Sequence, residues 1–311
     1  MAKTTPKVLC ILGPTASGKT ELALHLARKY NGEIVNVDSA QVYRHMDIGT
    51  AKVERAIRAE VPHHLLDIRE PFEGYSASDF CADATEKIHT ITARGRLPIL
   101  AGGTMLYFKA LFEGLADMPG ADQEYRDALE RRAEKHGWPA LHAELLAIDP
   151  DSASRIKPTD SQRIQRALEV FHVSGQTLTS LHATQSSAEN GFEFIKIALV
   201  PEDRAELHKA IEKRFKQMIS KGFLEEVRAL VRDNAFVRDA PSMRAVGYRQ
   251  LLAHLLDEEP LEDAILKGIY ATRQLAKRQQ TWLRKMPGLQ TFDAYAPDIH
   301  AKCESWLENI L

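Results

Sequence analysis

An eight-residue segment near the start of the chain has the composition and spacing of a phosphate-binding loop. It reads Gly13-Pro14-Thr15-Ala16-Ser17-Gly18-Lys19-Thr20 and fits the pattern G-x-x-x-x-G-K-[ST] between a strand and a helix. The glycines let the backbone curl so that its N–H groups point at phosphate oxygens. Lys19 adds a positive charge, and the hydroxyl of Thr20 can bind a magnesium ion. The sequence therefore predicts a site for a phosphate compound at 13–20, with Mg²⁺ at Thr20.

Two further polar segments follow predicted strands. Asp38, with Ser39, Ala40 and Gln41 after it, ends the second strand, and Thr104 follows a pair of glycines at the end of the third. The carboxylate of Asp38 can accept a proton or help to hold magnesium, and it can equally cap a helical turn. The hydroxyl of Thr104 can donate to a leaving oxygen, although the residues alone favour a helix cap.

The third predicted strand lacks the acid that a nucleoside triphosphatase would need. Such enzymes usually hold magnesium with an Asp at the end of another core strand. Here the strand runs into Leu100-Ala101-Gly102-Gly103-Thr104, which contains no acid. This pattern disfavours an ATPase or a kinase and is compatible with an enzyme that binds and releases a diphosphate.

Alternating strands and helices must position these segments. Strands are predicted over 8–12, 33–38, 97–100 and 193–200, and helices over 19–30, 78–94, 105–115, most of 123–186, and much of the chain up to about 286. Such alternation predicts a parallel sheet covered by helices, with ligands at the carboxyl ends of its strands. We expect an α/β core over 1–115 and 193–311, interrupted by an all-helical insertion over 116–192.

Composition sets outer limits on function. The chain has 311 residues, a net charge of -2 and 27% charged residues, so a nucleic-acid partner must be argued from local patches. It contains no apolar run of bilayer length and no signal peptide. Cys10, Cys81 and Cys303 are far apart, which disfavours a disulfide framework or a zinc site. We expect free thiols and a cytoplasmic protein.

Local basic clusters indicate where RNA could bind. Residues 264–286 contain no acid and carry Lys267, Arg273, Lys277, Arg278, Arg284 and Lys285, with Tyr270 and Trp282 among them. Positive charge with aromatic rings suits an RNA backbone and unstacked bases, although a solvated helix face is the alternative. Smaller clusters are Arg244, Tyr248 and Arg249, and Gln162, Arg163, Gln165 and Arg166. The adjacent His63 and His64 lack a metal partner and suggest a structural or channel-lining role.

Long segments in the same order resemble the bacterial tRNA isopentenyltransferase family. They are GPTASGKT, VDSAQVYRHMDIGTAK, VPHHLLDI, YSASDF, AGGTMLYFKALFEGL, SQRIQRALEVFHVSG, RAVGYRQ and TRQLAKRQQTWLR. The resemblance implies a P-loop kinase-like core with a helical insertion that contacts tRNA. It also implies transfer of a dimethylallyl group, with Mg²⁺, from dimethylallyl diphosphate to N6 of adenosine 37 in the anticodon stem-loop. We expect a monomer.

The resemblance also assigns roles to residues. It implies that residues 13–20 and Arg214 hold the diphosphate, that Asp38 is the general base, and that Thr104 lies near the bridging oxygen. The residues that it places against tRNA are Asp38, Ser39, Ala40, Gln41, Thr104, Arg126, Gln162, Arg163, Ile164, Gln165, Arg166, Arg244, Ala245, Val246, Gly247, Tyr248, Arg249, Lys277, Arg278, Gln279, Gln280, Thr281, Trp282, Leu283 and Arg284. One departure is Val53, where the family commonly has proline; it affects a turn rather than the chemistry.

Three other functions compete with this interpretation. A small-molecule or nucleotide kinase would turn over a nucleotide, and a non-catalytic RNA-binding protein would use the loop only as a switch. A third alternative shares the chemistry but prenylates free adenine nucleotides. The interpretation as a prenyltransferase depends on one spatial expectation, that Asp38 lies at the same rim of the sheet as residues 13–20 and faces them.

Overall fold

The computed structural model describes residues 5–184 and 191–311. These residues form two compact units: residues 5–112 with 191–311, and residues 113–184. Residues 185 and 186, the last two of the helical stretch predicted over 123–186, lie outside the described residues. So do residues 187–190, which precede the expected end of the insertion at 192. The two units are described in turn.

A six-stranded sheet forms the centre of the first unit. Its strands are β1 Lys7–Leu12, β2 Gly32–Val37, β3 His63–His64, β4 Leu97–Gly102, β5 Glu193–Val200 and β6 Gln290–Asp293. Their order across the sheet is β3-β2-β4-β1-β5-β6, and every neighbouring pair is parallel. The predicted α/β fold with a parallel sheet is confirmed.

The helices of both units follow in chain order. They are α1 Lys19–Lys29, α2 Arg55–Glu60, α3 Ala77–Ala93, α4 Met105–Glu113, α5 Gln123–His136, α6 Trp138–Ile148, α7 Pro150–Arg155, α8 Ser161–Ser174, α9 Leu178–Ala183, α10 Arg204–Ser220, α11 Phe223–Arg232, α12 Tyr248–Leu256, α13 Leu261–Leu283 and α14 Ile299–Leu307. A short 3-10 helix, Pro241–Arg244, precedes α12. None of the described helices combines the length and the apolar composition that a bilayer span requires.

Helices cover both faces of the sheet, which explains why its strands are continuously apolar. Alternate residues of β1 point to opposite faces. Cys10 packs in a cluster with Ile88 of α3 and residues of α4, whereas Ile11 packs in a cluster with Leu26 of α1 and residues of α14. This double burial fixes the register of the strands and hence the height at which each strand ends.

A third core joins helices α10–α13 to residues 42–46, the segment that follows β2. Its centre is aromatic. The ring of Phe223 lies edge-on to Tyr248, with centroids 4.9 Å apart, and to Phe215, with centroids 6.2 Å apart. Edge-to-face aromatic packing adds stabilisation beyond the burial of apolar area. The segment after β2 is thus tied to the C-terminal helices.

The second unit is all-helical and has its own core. Leu141 and Leu145 of α6 are buried in it with Leu129 of α5 and Ile164 of α8, and Trp138 packs at its edge. Aspartates begin α5, α7 and α8: the side chain of Asp122 accepts the N–H of Tyr125, and Asp149 and Asp160 cap α7 and α8 in the same way. Such caps satisfy N–H groups that have no partner within the helix.

Two strands of the first unit escape sequence analysis because they are short. β3 contains only His63 and His64, and β6 has four residues after Gly288. Neither is long enough for an alternation of apolar and polar residues to be recognised. Cys10 and Cys303 are buried, Cys81 is partly buried, and all three are free thiols.

Candidate active site

Three strands end at the same level of the sheet. Gly102 is paired with Leu12 on one side and with Val37 on the other, so β1, β4 and β2 stop in register. The N–H groups of Gly103 and Thr104 both donate to the carbonyl of Val37, at 3.2 and 3.1 Å. The sheet therefore brings the loop 13–20, the turn after Asp38 and the turn before α4 to one edge.

The loop 13–20 is curled in a way that leaves polar groups available. Ala16 and Gly18 have φ values of 63° and 76°, and Gly18, the N-cap of α1, has no side chain to cap that helix. The hydroxyl of Ser17 is buried without a hydrogen-bond partner among the described residues. A Cβ added to Gly13 would lie 2.5 Å from this hydroxyl oxygen, so glycine is required there. A helix N-terminus with unsatisfied donors favours a bound anion.

The C-terminal part of the chain holds this loop from outside. The N–H of Thr15 donates to Oε1 of Gln279 at 2.9 Å, and Nε2 of Gln279 donates to the carbonyl of Gly103 at 2.8 Å. The hydroxyl of Tyr295 donates to the carbonyl of Ala16 at 2.9 Å. Sequence analysis expected Gln279 to contact tRNA. In the structure its side chain is buried, and it links the loop to the end of β4.

One cavity receives side chains from all of these elements. Its polar lining includes Lys19, Thr20, Asp38 and Arg214. Its apolar lining comes mainly from the C-terminal helices and comprises Ile211, Phe215, Met218, Ala245, Val246, Tyr248 and Leu275, with the segment Gly49, Thr50 and Ala51 as a further wall. Thr104 is not among the lining residues. The cavity thus offers an anion site beside space for a small hydrocarbon.

Two cations share this cavity with one acid. Burial and the neighbouring Arg214 lower the pKa of Lys19 to about 8, while Asp38 opposes the change. Burial also lowers the pKa of Arg214, again opposed by Asp38. The ammonium group of Lys19 donates to the carbonyl of Pro14 at 2.9 Å. Since desolvation disfavours both cations, an anion entering the cavity would be attracted strongly.

Asp38 both caps a turn and faces the cavity. Its Oδ1 accepts the N–H of Ala40 at 2.9 Å, whereas Oδ2 accepts no hydrogen bond from the described residues. Oγ1 of Thr104 accepts the N–H of Ser39 at 3.0 Å. The hydroxyl of Thr104 therefore steadies the turn after Asp38, rather than capping α4 as the sequence had favoured.

The residues expected to contact tRNA fall into three classes in the first unit. Those that are partly buried are Asp38, Ala40, Gln41, Thr104, Ala245, Val246 and Gln280. Those that are exposed on the surface are Ser39, Arg244, Arg249, Lys277, Arg278, Thr281, Trp282 and Arg284. Those that are buried are Gly247, Tyr248, Gln279 and Leu283. A helix presents only one face to solvent, so a contiguous motif necessarily includes residues of the inner face.

In the second unit, a buried carboxylate accepts hydrogen bonds from two of the arginines that were expected to contact tRNA. Glu169 is fully buried, and it accepts hydrogen bonds from Arg126 at 2.6 and 3.0 Å and from Arg166 at 2.6 Å. The hydrogen bond to Glu169 raises the pKa of Arg126. Gln165 donates to Glu130 at 3.2 Å and Ile164 is buried, which leaves Gln162 and Arg163 exposed. Arg126 and Arg166 therefore have a structural role within this unit.

His63 and His64 belong to a separate polar cluster. Nε2 of His64 lies 2.6 Å from the buried carboxylate of Glu33, which also accepts from Arg94 and Arg96. Nδ1 of His63 lies 2.7 Å from the carbonyl of Val61, and burial lowers the pKa of His63. Neither residue lines the cavity, so the contacts of this pair fit a structural role rather than a channel-lining one.

The apolar wall of the cavity that α10 provides was not predicted from the sequence. Ile211, Phe215 and Met218 of α10 line it beside Arg214. Their spacing of four and then three residues is that of one helix face, so the signal was present. It could not be distinguished from an ordinary core-facing stripe without knowing what the helix packs against.

Comparison with known proteins agrees with this site. A tRNA dimethylallyltransferase of Burkholderia cenocepacia is 53% identical over 307 residues, covering 98% of this chain and 95% of that protein. The solved full-length tRNA isopentenylpyrophosphate transferase of Bacillus halodurans is 38% identical, with 97% of each chain covered and a TM-score of 0.69. A eukaryotic dimethylallyltransferase solved while acting on tRNA is 28% identical, with a TM-score of 0.81 over 98% of this chain and 79% of that one.

The family match covers most of the site. The model of the IPP transferase family matches residues 41–286, which include the wall segment 49–51, the strand end at Gly102, Arg214 and Gln279. The near full-length relatives extend the similarity through the loop 13–20 and Asp38. The chain belongs to the IPP transferase family.

Proposed function

We propose that this protein transfers a dimethylallyl group from dimethylallyl diphosphate to N6 of adenosine 37 in tRNA, releasing diphosphate. The observation that carries the proposal is the shared cavity, in which Asp38 lies with Lys19 and Arg214 beside an apolar wall. A proton acceptor, an anion site and a hydrocarbon site are the three parts that this reaction requires. The names of the relatives support the same reaction.

The barrier of this reaction lies mainly in releasing diphosphate from an allylic carbon. Lys19, Arg214 and the N–H groups of the loop 13–20 neutralise the charge that develops on the leaving oxygen. Groups that are already fixed in place need little reorganisation as the charge develops, which makes them effective. The held loop and the partly buried cations of this cavity meet that requirement.

Asp38 supplies the base. The exocyclic amine of adenine is a poor nucleophile because its lone pair is delocalised into the ring. As the new N–C bond forms and the allylic C–O bond breaks, the carboxylate of Asp38 takes the proton that leaves N6, and diphosphate carries away the bonding electrons. Oδ2 of Asp38 suits this role because the turn occupies only Oδ1.

The residues present fit a magnesium ion bound together with the diphosphate. Thr20 lines the cavity at the start of α1, and its hydroxyl is an oxygen ligand of the kind that Mg²⁺ prefers. No group of three or more His, Cys, Asp or Glu side chains is arranged to hold a metal within residues 5–184 and 191–311. The ion would therefore depend on diphosphate oxygens as well as Thr20, and it would supply further neutralisation of the leaving group.

The acceptor must leave its stack to reach the cavity. We infer that adenosine 37 flips out of the anticodon loop and enters from the side opposite the diphosphate. The exposed cations Lys277 and Arg278 on α13 and Arg284 directly after it, with Trp282, give a surface that suits the backbone and unstacked bases of RNA. This chain supplies an anion site, a base and an apolar wall by itself, and we expect the enzyme to act as a monomer.

Mass spectrometry of tRNA tests the proposal against its rivals. The protein is incubated with unmodified tRNA, dimethylallyl diphosphate and Mg²⁺, and the tRNA is digested both to nucleosides and, with a base-specific ribonuclease, to oligonucleotides that locate the modification. We expect N6-dimethylallyladenosine at position 37, and far less of it in the same time with Asp38→Asn. Unmodified tRNA would contradict the proposal. If a free nucleotide is prenylated instead, the protein modifies free adenine nucleotides; if a phosphorylated product forms, it is a kinase; and if it only binds RNA tightly, it is a non-catalytic RNA-binding protein.

A further inference from the structure

One wall of the cavity is an irregular segment that is held by a single carboxylate. Gly49, Thr50 and Ala51 line the cavity. Behind them, Glu226 of α11 accepts the backbone N–H groups of Asp47 at 2.8 Å, Ile48 at 2.7 Å and Gly49 at 3.0 Å. Glu226 itself is not among the residues that line the cavity. It acts on the wall from behind.

The arrangement uses the full accepting capacity of the carboxylate. Oε2 accepts from Asp47 and Ile48, while Oε1 accepts from Gly49 and from the hydroxyl of Tyr248 at 2.6 Å. A carboxylate has about four acceptor positions, and hydrogen bonds to an ionised acceptor are roughly twice as strong as neutral ones. Burial and the charge of Glu226 raise the pKa of Tyr248, so its hydroxyl remains a donor.

Steric packing from the same helix places the wall independently. A Cβ added to Gly49 would lie 2.0 Å from Cε2 of Phe223, so the backbone of Gly49 rests directly on that ring. On the far side, Nε2 of Gln41 donates to the carbonyl of Thr50 at 3.0 Å. The wall is therefore fixed between α11 and the turn after Asp38, with Glu226 supplying most of its hydrogen bonds to α11.

We propose that Glu226 is a positioning residue that sets the wall against which the hydrocarbon of the prenyl donor packs, and thereby its chain length. This inference rests on the proposed function. Glu226→Gln preserves size but replaces one oxygen by an NH₂ group. In one orientation the NH₂ group faces the N–H groups of Asp47 and Ile48, and in the other it faces the N–H of Gly49, so the wall segment loses at least one hydrogen bond either way. The wall loosens, while the loop 13–20 that holds the diphosphate is untouched.

Binding of unreactive analogues tests this without relying on turnover. Isothermal titration measures the Kd of dimethylallyl S-thiolodiphosphate, geranyl S-thiolodiphosphate and inorganic pyrophosphate, each with Mg²⁺. For Glu226→Gln, we expect the Kd of the five-carbon analogue to rise about tenfold. We expect its preference over the ten-carbon analogue to fall about tenfold and the Kd of pyrophosphate to stay within about twofold of the wild-type value.

Glu225→Gln is the matched control, because Glu225 precedes Glu226 on α11, is exposed, and among the described residues pairs only with Arg228. It should leave all three Kd values unchanged. If Glu226→Gln does not fold, Glu226→Asp keeps the charge with a shorter reach, and we expect the same loss of preference in smaller degree.

The outcomes separate the two proposals. Unchanged preference in a folded Glu226 variant, or equal weakening of all three ligands, would show that the residue is merely structural. If the wild-type protein binds pyrophosphate but neither prenyl analogue, the proposed function itself is wrong and the inference falls with it.

Discussion

The hydroxyl oxygen of Thr104 accepts a hydrogen bond from the backbone N–H of Ser39 at 3.0 Å, and so joins the end of β4 to the turn that carries Asp38. The turn is also held by the hydrogen bond between Asp38 and Ala40 and by that from Nδ2 of Asn36 to the carbonyl of Asp38, but Thr104 ties it to the neighbouring strand end. Thr104 therefore positions the base rather than a helix end.

Removing this hydroxyl should slow the reaction. For Thr104→Ala, we expect the single-turnover rate of prenyl transfer to fall about tenfold, the equivalent of one hydrogen bond of ordinary strength. Thr104→Ser retains the oxygen and should keep most of the rate. A Thr104→Ala enzyme as fast as the wild type would remove the positioning role.

The lowered pKa of Lys19 makes donor binding depend on pH. Below pH about 8 the side chain is protonated and attracts diphosphate, whereas above this pH the charge is lost. We expect the affinity for inorganic pyrophosphate, measured by isothermal titration, to be highest near neutral pH and to fall as pH rises through about 8.

Pyrophosphate also loses a proton in alkaline solution, so the comparison requires a variant with a permanent charge. Lys19→Arg keeps its charge throughout this range and should show a flatter profile. Identical profiles for the two proteins would mean that Lys19 does not govern the pH dependence.

Gln279 should affect the diphosphate site rather than tRNA binding. In Gln279→Ala, the N–H of Thr15 and the carbonyl of Gly103 lose their partner. An unsatisfied buried group costs about 1–3 kcal/mol, so we expect a lower free energy of unfolding in urea and a weaker Kd for pyrophosphate.

Lys277→Ala is the matched change on the exposed face of α13. It should weaken tRNA binding and reduce its salt dependence, with no change in pyrophosphate affinity. If Gln279→Ala behaved like Lys277→Ala, affecting tRNA alone, the internal role of Gln279 would be contradicted.

Arg126 should contribute to the stability of the helical unit. Glu169 is fully buried, and Arg126→Ala removes one of its two arginine partners. Because Glu169 keeps Arg166 as a partner, the cost should be that of lost hydrogen bonds to a charged group, about 1–3 kcal/mol, rather than that of an uncompensated buried charge. We expect a lower melting temperature, with part of the loss recovered in the double variant Arg126→Ala/Glu169→Gln. If Arg126→Ala melts like the wild type but binds tRNA weakly, the result would instead support the direct contact with tRNA that the resemblance implies.

The rim of the sheet could be predicted from the sequence because each of its parts follows an apolar run. The loop 13–20, Asp38 and Thr104 all come directly after buried strands, and parallel strands present their carboxyl ends at one edge. In the structure, Gly102 is paired with both Leu12 and Val37, so the three strands end at one edge of the sheet as predicted. The short strands β3 and β6 carry no comparable signal, since two to four residues do not establish a period.

The partners of single polar residues could not be predicted. Glu226 and Glu169 have nothing in their local sequence that distinguishes them from exposed glutamates such as Glu225. The partners that set them apart, Asp47 for Glu226 and Arg126 for Glu169, come from distant segments. Gln279 is a partial exception to this rule. Ala276, Gln279 and Leu283 recur at the spacing of one helix face, and all three are buried. The periodicity of α13 thus indicated which residue of its basic motif points inward.

The most direct test of the account is a single-turnover measurement with Asp38→Asn. Asparagine keeps the shape and an oxygen that can accept the N–H of Ala40, but it cannot take a proton. With saturating tRNA and dimethylallyl diphosphate, we expect prenyl transfer to slow by about a hundredfold or more, while pyrophosphate still binds at least as tightly. Prenyl transfer by this variant at the wild-type rate would contradict the central claim that Asp38 takes the proton from the attacking amine.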